Sequence, residues 1–386
     1  MTNPGDGYFE HDLVVGLEAA GSPSSSIRYR GRCPARAGRV GPRPCAKPAG
    51  GADPTIGSSV TDVGEAEVKR RTAGCAAIAA LGAAGAAAAR AVAIGIERNP
   101  DPVPRDRLVR EPEGDEALIR RPDGTVLRAV AAGDGPPVVL AHGYGVSLLE
   151  WNLLWHDLLA AGRRVVAFDQ RGHERSTLGS DGAGSGPMAA DCAAVLEHFD
   201  VRDGVLVGHS MGGFVAIRAM LDHPGLVRRL RGLVLAATWA GRIYQGAPQN
   251  RLQIPLLRAG VLQRWARTRT GGVLFGAVQC GDRPSPAMIS VFRDLFLRQN
   301  HAPLLPIVRA FSREDRYPRL AEIAVPTVVV VGAADRTTPL VHARRLTAGI
   351  PGARMVTVPG AGHALNWEGI GALSGAILSF PARAAD

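Results

Sequence analysis

The chain has 386 residues, 46% hydrophobic and 21% charged, enough for one large domain with additions. The net charge is +10, but Lys47 and Lys69 are the only lysines and the arginines are spread along the whole length. No recognition-helix, zinc or RNA-binding motif accompanies them, so nucleic acid is not expected as a partner.

The first stretch, residues 1–68, is rich in Gly, Pro, Ser and Arg without a sustained apolar period. Such a composition cannot bury enough surface to offset its ordering entropy, which predicts a disordered tail. Residues 69–98 follow, an Ala-rich apolar helix by composition, led by Lys69-Arg70-Arg71. Its apolar part, residues 72–96, is long enough for a bilayer span, yet alanine anchors weakly and Arg90 opposes insertion. Membrane-anchored and cytoplasmic readings both stay open here. On either reading, the folded domain should need nothing of the residues before about 105.

From about 115 strands and helices alternate. Residues 126–131, 138–141, 164–168, 204–207, 232–237, 327–331 and 354–358 read as strands. Helices are expected at 148–162, 188–199, 212–222, 340–348 and 369–380. Apolar β-branched strands between helices predict an α/β fold, with a mostly parallel sheet covered on both faces. Residues 240–320 lack strand character and read as a helical lid inserted into a domain spanning 115–382. Within it Leu256, Leu257, Trp265, Phe275, Phe292 and Phe296 could line an apolar cavity or simply pack the lid. The five cysteines (Cys33, Cys45, Cys75, Cys192, Cys280) are odd in number and lack C-x-x-C spacing. They suggest free thiols rather than a zinc site or disulfide framework.

The chemistry concentrates at strand ends, where ligands bind in open α/β sheets. "GVLVGHSMGG" breaks an apolar strand with a serine between glycines, the pattern of a nucleophile elbow, and puts Ser210 at the turn. "PVVLAHGYG" places Tyr144 after another strand, where its backbone N–H, with that of Met211, would form an oxyanion hole. Asp335 in "VVVVGAADRTTP" follows a buried strand, and His363 in "VTVPGAGHALNWE" follows the next strand. A serine hydroxyl needs a base and the base an orienting carboxylate, so Ser210, Asp335 and His363 are the candidate catalytic residues.

In position and order, "HGYG", "AFDQRGHERS", "GHSMGG", "GAADRTTP" and "GAGHALNWE" resemble the landmarks of α/β-hydrolase-fold serine hydrolases. The Ala-rich segment ahead of such a domain resembles that of some actinobacterial members. The resemblance implies an esterase-like hydrolase acting on a small, fairly apolar acyl substrate, with no cofactor and no metal. A cofactor-free perhydrolase or haloperoxidase-like enzyme, or a ligand receptor that keeps the triad with little turnover, are the alternatives. Glu174 stands where that family usually has glycine, which puts its turn in doubt. Asp169 and Arg171 beside it read as structural, as does the His142 side chain.

Overall fold

The structure, a computed structural model, describes residues 81–380. The tail at 1–68, the start of the Ala-rich segment, Cys33, Cys45 and Cys75 lie outside the described residues.

Eight strands form one sheet: β1 (Asp115–Arg120), β2 (Val126–Ala132), β3 (Pro137–Ala141), β4 (Arg164–Phe168), β5 (Gly204–His209), β6 (Leu230–Ala236), β7 (Thr327–Gly332) and β8 (Arg354–Val358). Their spatial order is β1-β2-β4-β3-β5-β6-β7-β8. The pairs β1/β2 and β2/β4 are antiparallel, and every other pair is parallel. Side chains alternate between faces along a strand, and the core divides accordingly. Val139, Leu206, Val329 and Val331 pack with helices Ser185–His198, Met211–Asp222 and Leu340–Gly349. Val138, Leu140, Val205, Val207, Val328 and Val330 pack with helices Asn152–Ala160 and Ile370–Leu378. Both faces are therefore covered, which is why the central strands read as unbroken apolar runs.

β1 was not legible as a strand. Its sequence DEALIR buries only Ile119 fully, because it is an edge strand held on one side by the β2 ladder. Between β6 and β7 the chain is helical, with helices at Gln253–Arg258, Val261–Arg267, Arg269–Ala277, Pro286–Arg298 and Leu305–Arg313. This insertion sits over the carboxyl ends of β5 and β6.

Of the two readings of the Ala-rich segment, the structure supports the helix and not the membrane span. Residues 81–97 form a helix, but among the described residues no helix is long and apolar enough to cross a membrane. Its last turn is instead part of the fold. Ala93 is buried, Ile96 packs beside Leu108 and Met288, and Glu97 accepts two hydrogen bonds from Arg269. The following loop is equally engaged: Asn99 donates to the Pro284 carbonyl. Asp101 Oδ1 accepts from the Ser285 hydroxyl at 2.5 Å and the Ala287 N–H at 2.8 Å, capping the Pro286–Arg298 helix. The reading of residues 72–96 as a membrane anchor is thus unsupported, and the domain does use residues before 105.

Candidate active site

The glycines around Ser210 are required by distance. A Cβ on Gly208 would lie 2.6 Å from the Gly213 backbone, one on Gly212 would strike the Ala141 carbonyl, and one on Gly213 would lie 2.6 Å from the Thr238 side chain. Between them Ser210 has φ 52° and ψ −117°, a conformation that costs a non-glycine residue on the order of 1–3 kcal/mol. The turn is held against that cost on two sides. Ser210 N–H donates to the Ala236 carbonyl at 3.0 Å, and the Thr238 hydroxyl donates to the Ser210 carbonyl at 2.7 Å.

His363 Nε2 lies 2.9 Å from Ser210 Oγ, and its Nδ1 lies 3.0 Å from Asp335 Oδ2. The Asp335 side chain is fully buried. Its Oδ1 accepts the N–H groups of Thr337 and Thr338, both at 2.8 Å, and its Oδ2 also accepts the Thr338 hydroxyl at 2.7 Å. Burial by itself would raise the Asp335 pKa, but the neighbouring His363 and the hydrogen bonds from it and from Thr338 outweigh burial and hold the carboxyl below its usual range. An ionised Asp335 is an acceptor only, so Nδ1 of His363 carries the proton. Nε2 is then left as the acceptor for the Ser210 hydroxyl, a tautomer assigned from its partners.

The H-G-Y loop lies across from this line. Gly143 N–H is engaged, donating to Glu150 Oε1 at 3.0 Å. Tyr144 N–H has no acceptor among the described residues, and Met211 is the first residue of its helix, where N–H groups lack intrahelical partners. His142 is structural: its Nδ1–H donates to the Gly143 carbonyl and its Nε2 accepts the Gln170 N–H. Burial, reinforced by neighbouring His173, keeps its pKa far below the ordinary value. Asp169 and Arg171 are also structural. Asp169 accepts the Leu148 N–H, and Arg171 binds Asp191 and Asp123 in the interior. Glu174 adopts φ 44°, so the turn keeps a glycine-like conformation with glutamate in it. Gln299 braces it, accepting the Glu174 N–H at 2.9 Å and donating to its carboxylate at 3.1 Å.

Ser210 and His363 open on a cavity of about 380 Å³ beneath the insertion. Leu256, Leu257, Trp265, Phe275, Phe292 and Phe296 all line it, so those six side chains face the site as well as packing the lid. Sequence reasoning missed Thr338, Glu150, His209 and Asn366. Thr338 had a local signal, since an aspartate followed by threonines two and three residues on is a side-chain-capped turn. The other three meet only through the fold. Among the described residues no group of three or more His, Cys, Asp or Glu side chains is arranged to hold a metal ion.

A model of the alpha/beta hydrolase family matches residues 138–373. The chain belongs to that family. It is 27% identical over 270 residues to a non-heme haloperoxidase of Rhodococcus erythropolis, covering 68% of this chain and 98% of the relative. It is 30% identical over 265 residues to a 2-hydroxy-6-oxononadienedioate/2-hydroxy-6-oxononatrienedioate hydrolase of Paraburkholderia xenovorans, covering 65% of this chain and 89% of that one. The solved esterase of Exiguobacterium antarcticum superposes with a TM-score of 0.62 at 22% identity, over 69% of this chain and 99% of its own, a likeness of fold.

Proposed function

We propose that the protein is a serine hydrolase that cleaves a carboxylic ester, or a related acyl bond, of a small and largely apolar substrate. The observation carrying this reading is the unbroken hydrogen-bonded line Asp335–His363–Ser210 that opens on the apolar cavity. Ser210 Oγ attacks the substrate carbonyl while His363 Nε2 takes its proton, and Asp335 holds the imidazolium that forms. The carbonyl oxygen becomes an oxyanion facing the N–H groups of Tyr144 and Met211. His363 then protonates the leaving alcohol, which departs from an acyl-enzyme. Water, activated by the same histidine, releases the acid and restores Ser210. No cofactor enters these steps.

The haloperoxidase relative favours a second reading, in which hydrogen peroxide replaces water in the last step and the product is a peracid. A receptor that keeps the triad would show a single turnover only. A fluorophosphonate probe and a series of p-nitrophenyl esters separate these. Ser210→Ala should abolish both labelling and turnover with the fold intact, since alanine fits the turn at least as easily. Labelling that persists in this variant overturns the assignment. Acyl transfer to peroxide faster than to water would shift the reading to perhydrolase.

A further inference from the structure

Behind the nucleophile lies a second carboxylate–histidine pair that the steps above do not use. Glu150 is 2% exposed. Its Oε1 accepts the Gly143 N–H at 3.0 Å, and both carboxylate oxygens lie 3.2 Å from His209 Nδ1. His209, the last residue of β5, is bonded directly to Ser210. Its Nε2 lies 2.9 Å from the main-chain carbonyl of His363. The Glu150 carbonyl in turn accepts from Asn366 Nδ2 at 3.0 Å. One pair therefore touches the H-G-Y loop, the elbow and the loop that carries the base. There is no slack between them: a Cβ on Gly143 would stand 3.2 Å from His209 Nδ1 and 3.4 Å from Ser210 Cβ.

The partners also fix the protons. A carbonyl only accepts, so Nε2 of His209 must carry a hydrogen. An ionised carboxylate only accepts, so Nδ1 facing Glu150 carries one too. With an ionised Glu150 both nitrogens would be protonated and His209 would be an imidazolium. Burial works against that charge, but Glu150, the His363 carbonyl and Asp335 outweigh burial and leave the His209 pKa raised. The titratable groups facing it are Glu150, Asp335, His142 and the His363 ring, whose centre is 5.1 Å away.

We propose that Glu150 and His209 form a buried ion pair that positions the oxyanion loop against the elbow. Its effect on rate rests on the acyl-enzyme reading above; its charge state does not. Neither residue touches the reacting atoms, so both act through Tyr144, Ser210 and His363. The arrangement is preorganised, because the pair is already bonded in the resting protein.

Glu150→Gln tests this, since the glutamine carbonyl still accepts the Gly143 N–H while the charge is removed. With p-nitrophenyl acetate we expect kcat to fall by about 10²-fold, similar to the loss of one oxyanion donor. KM should stay within about twofold, because Glu150 is one polar residue in a mostly apolar cavity lining. Glu150→Asp, which restores the charge at a shorter reach, should recover part of the loss; a merely structural role would make it no better than glutamine. The second measurement does not need turnover. With ¹⁵N-labelled histidine, one ring should have both nitrogens protonated at pH 7, and that signal should become a neutral imidazole in Glu150→Gln. A neutral His209 in the wild-type protein overturns the pair, as does a glutamine variant with unchanged kcat. If no ester is turned over, the functional reading fails while the nitrogen spectrum still decides the ion pair.

Discussion

The two walls of the cavity are built on opposite principles. The floor at the ends of β5, β7 and β8 is polar, buried and tied by hydrogen bonds: Ser210, Asp335 and His363 are each at most 7% exposed, and the Asp335 carboxylate alone accepts four. The lid has less of this, buried Asn250 with its bonds to the Ile243 and Thr337 carbonyls being its main example at the cavity. From residue 240 to 281 it carries six arginines and no acidic residue, and Arg242 finds its partner in Asp315, beyond that stretch. Its inner face is held by apolar and aromatic packing, such as Phe275 against Phe296 at 4.7 Å between ring centres. Trp265 remains 41% exposed although it lines the cavity. Reacting groups need fixed geometry, which buried, saturated hydrogen bonding supplies. An apolar pocket needs only volume and area, which packing supplies with fewer constraints.

The sharpest test of the contrast is on the floor. Asp335→Asn keeps the shape but offers His363 an amide, which disturbs the tautomer that leaves Nε2 free to accept. A fall in kcat of about 10⁴-fold is expected, with KM for p-nitrophenyl butyrate little changed. A loss under tenfold would mean that Thr338 and the remaining donors hold the ring without the carboxylate.

The lid should respond more weakly and selectively. Trp265→Ala removes aromatic area from the cavity but no hydrogen bond to the floor. Each buried methylene is worth about 0.8 kcal/mol, so kcat/KM for octanoyl esters should drop by about tenfold while acetyl esters stay within about twofold. An equal loss on both would place Trp265 in the positioning machinery instead.

The smallest effect concerns the base of the lid, where the segment before β1 supports it. Asp101→Ala removes the acceptor for Ser285 and the Ala287 N–H, and lost helix caps cost about 1 kcal/mol. The melting temperature should fall by a few degrees, with kcat/KM for acetyl esters unchanged. A variant as stable as the parent would detach residues 99–101 from the lid's support.

Much of the site was readable because its determinants are local. An elbow needs glycines at fixed offsets from the serine, buried central strands read as short apolar runs, and the three candidate residues each follow a strand. Amino-acid order alone therefore determined the fold class and all strands but β1, and it placed Ser210, Asp335 and His363 at strand ends, which the structure brings within hydrogen-bonding distance of one another. Tertiary structure decided the rest. The facing of the six lid side chains depends on how short helices pack over the sheet, and no periodicity within them encodes it. The last turn of the Ala-rich helix docks through partners about 170 residues away in sequence, as in Glu97 with Arg269. Glu150 and His209 are 59 positions apart, and each alone looks like an ordinary helix or strand residue. Only folding brings them together, because a buried charge pair is defined by what surrounds it rather than by its neighbours along the chain.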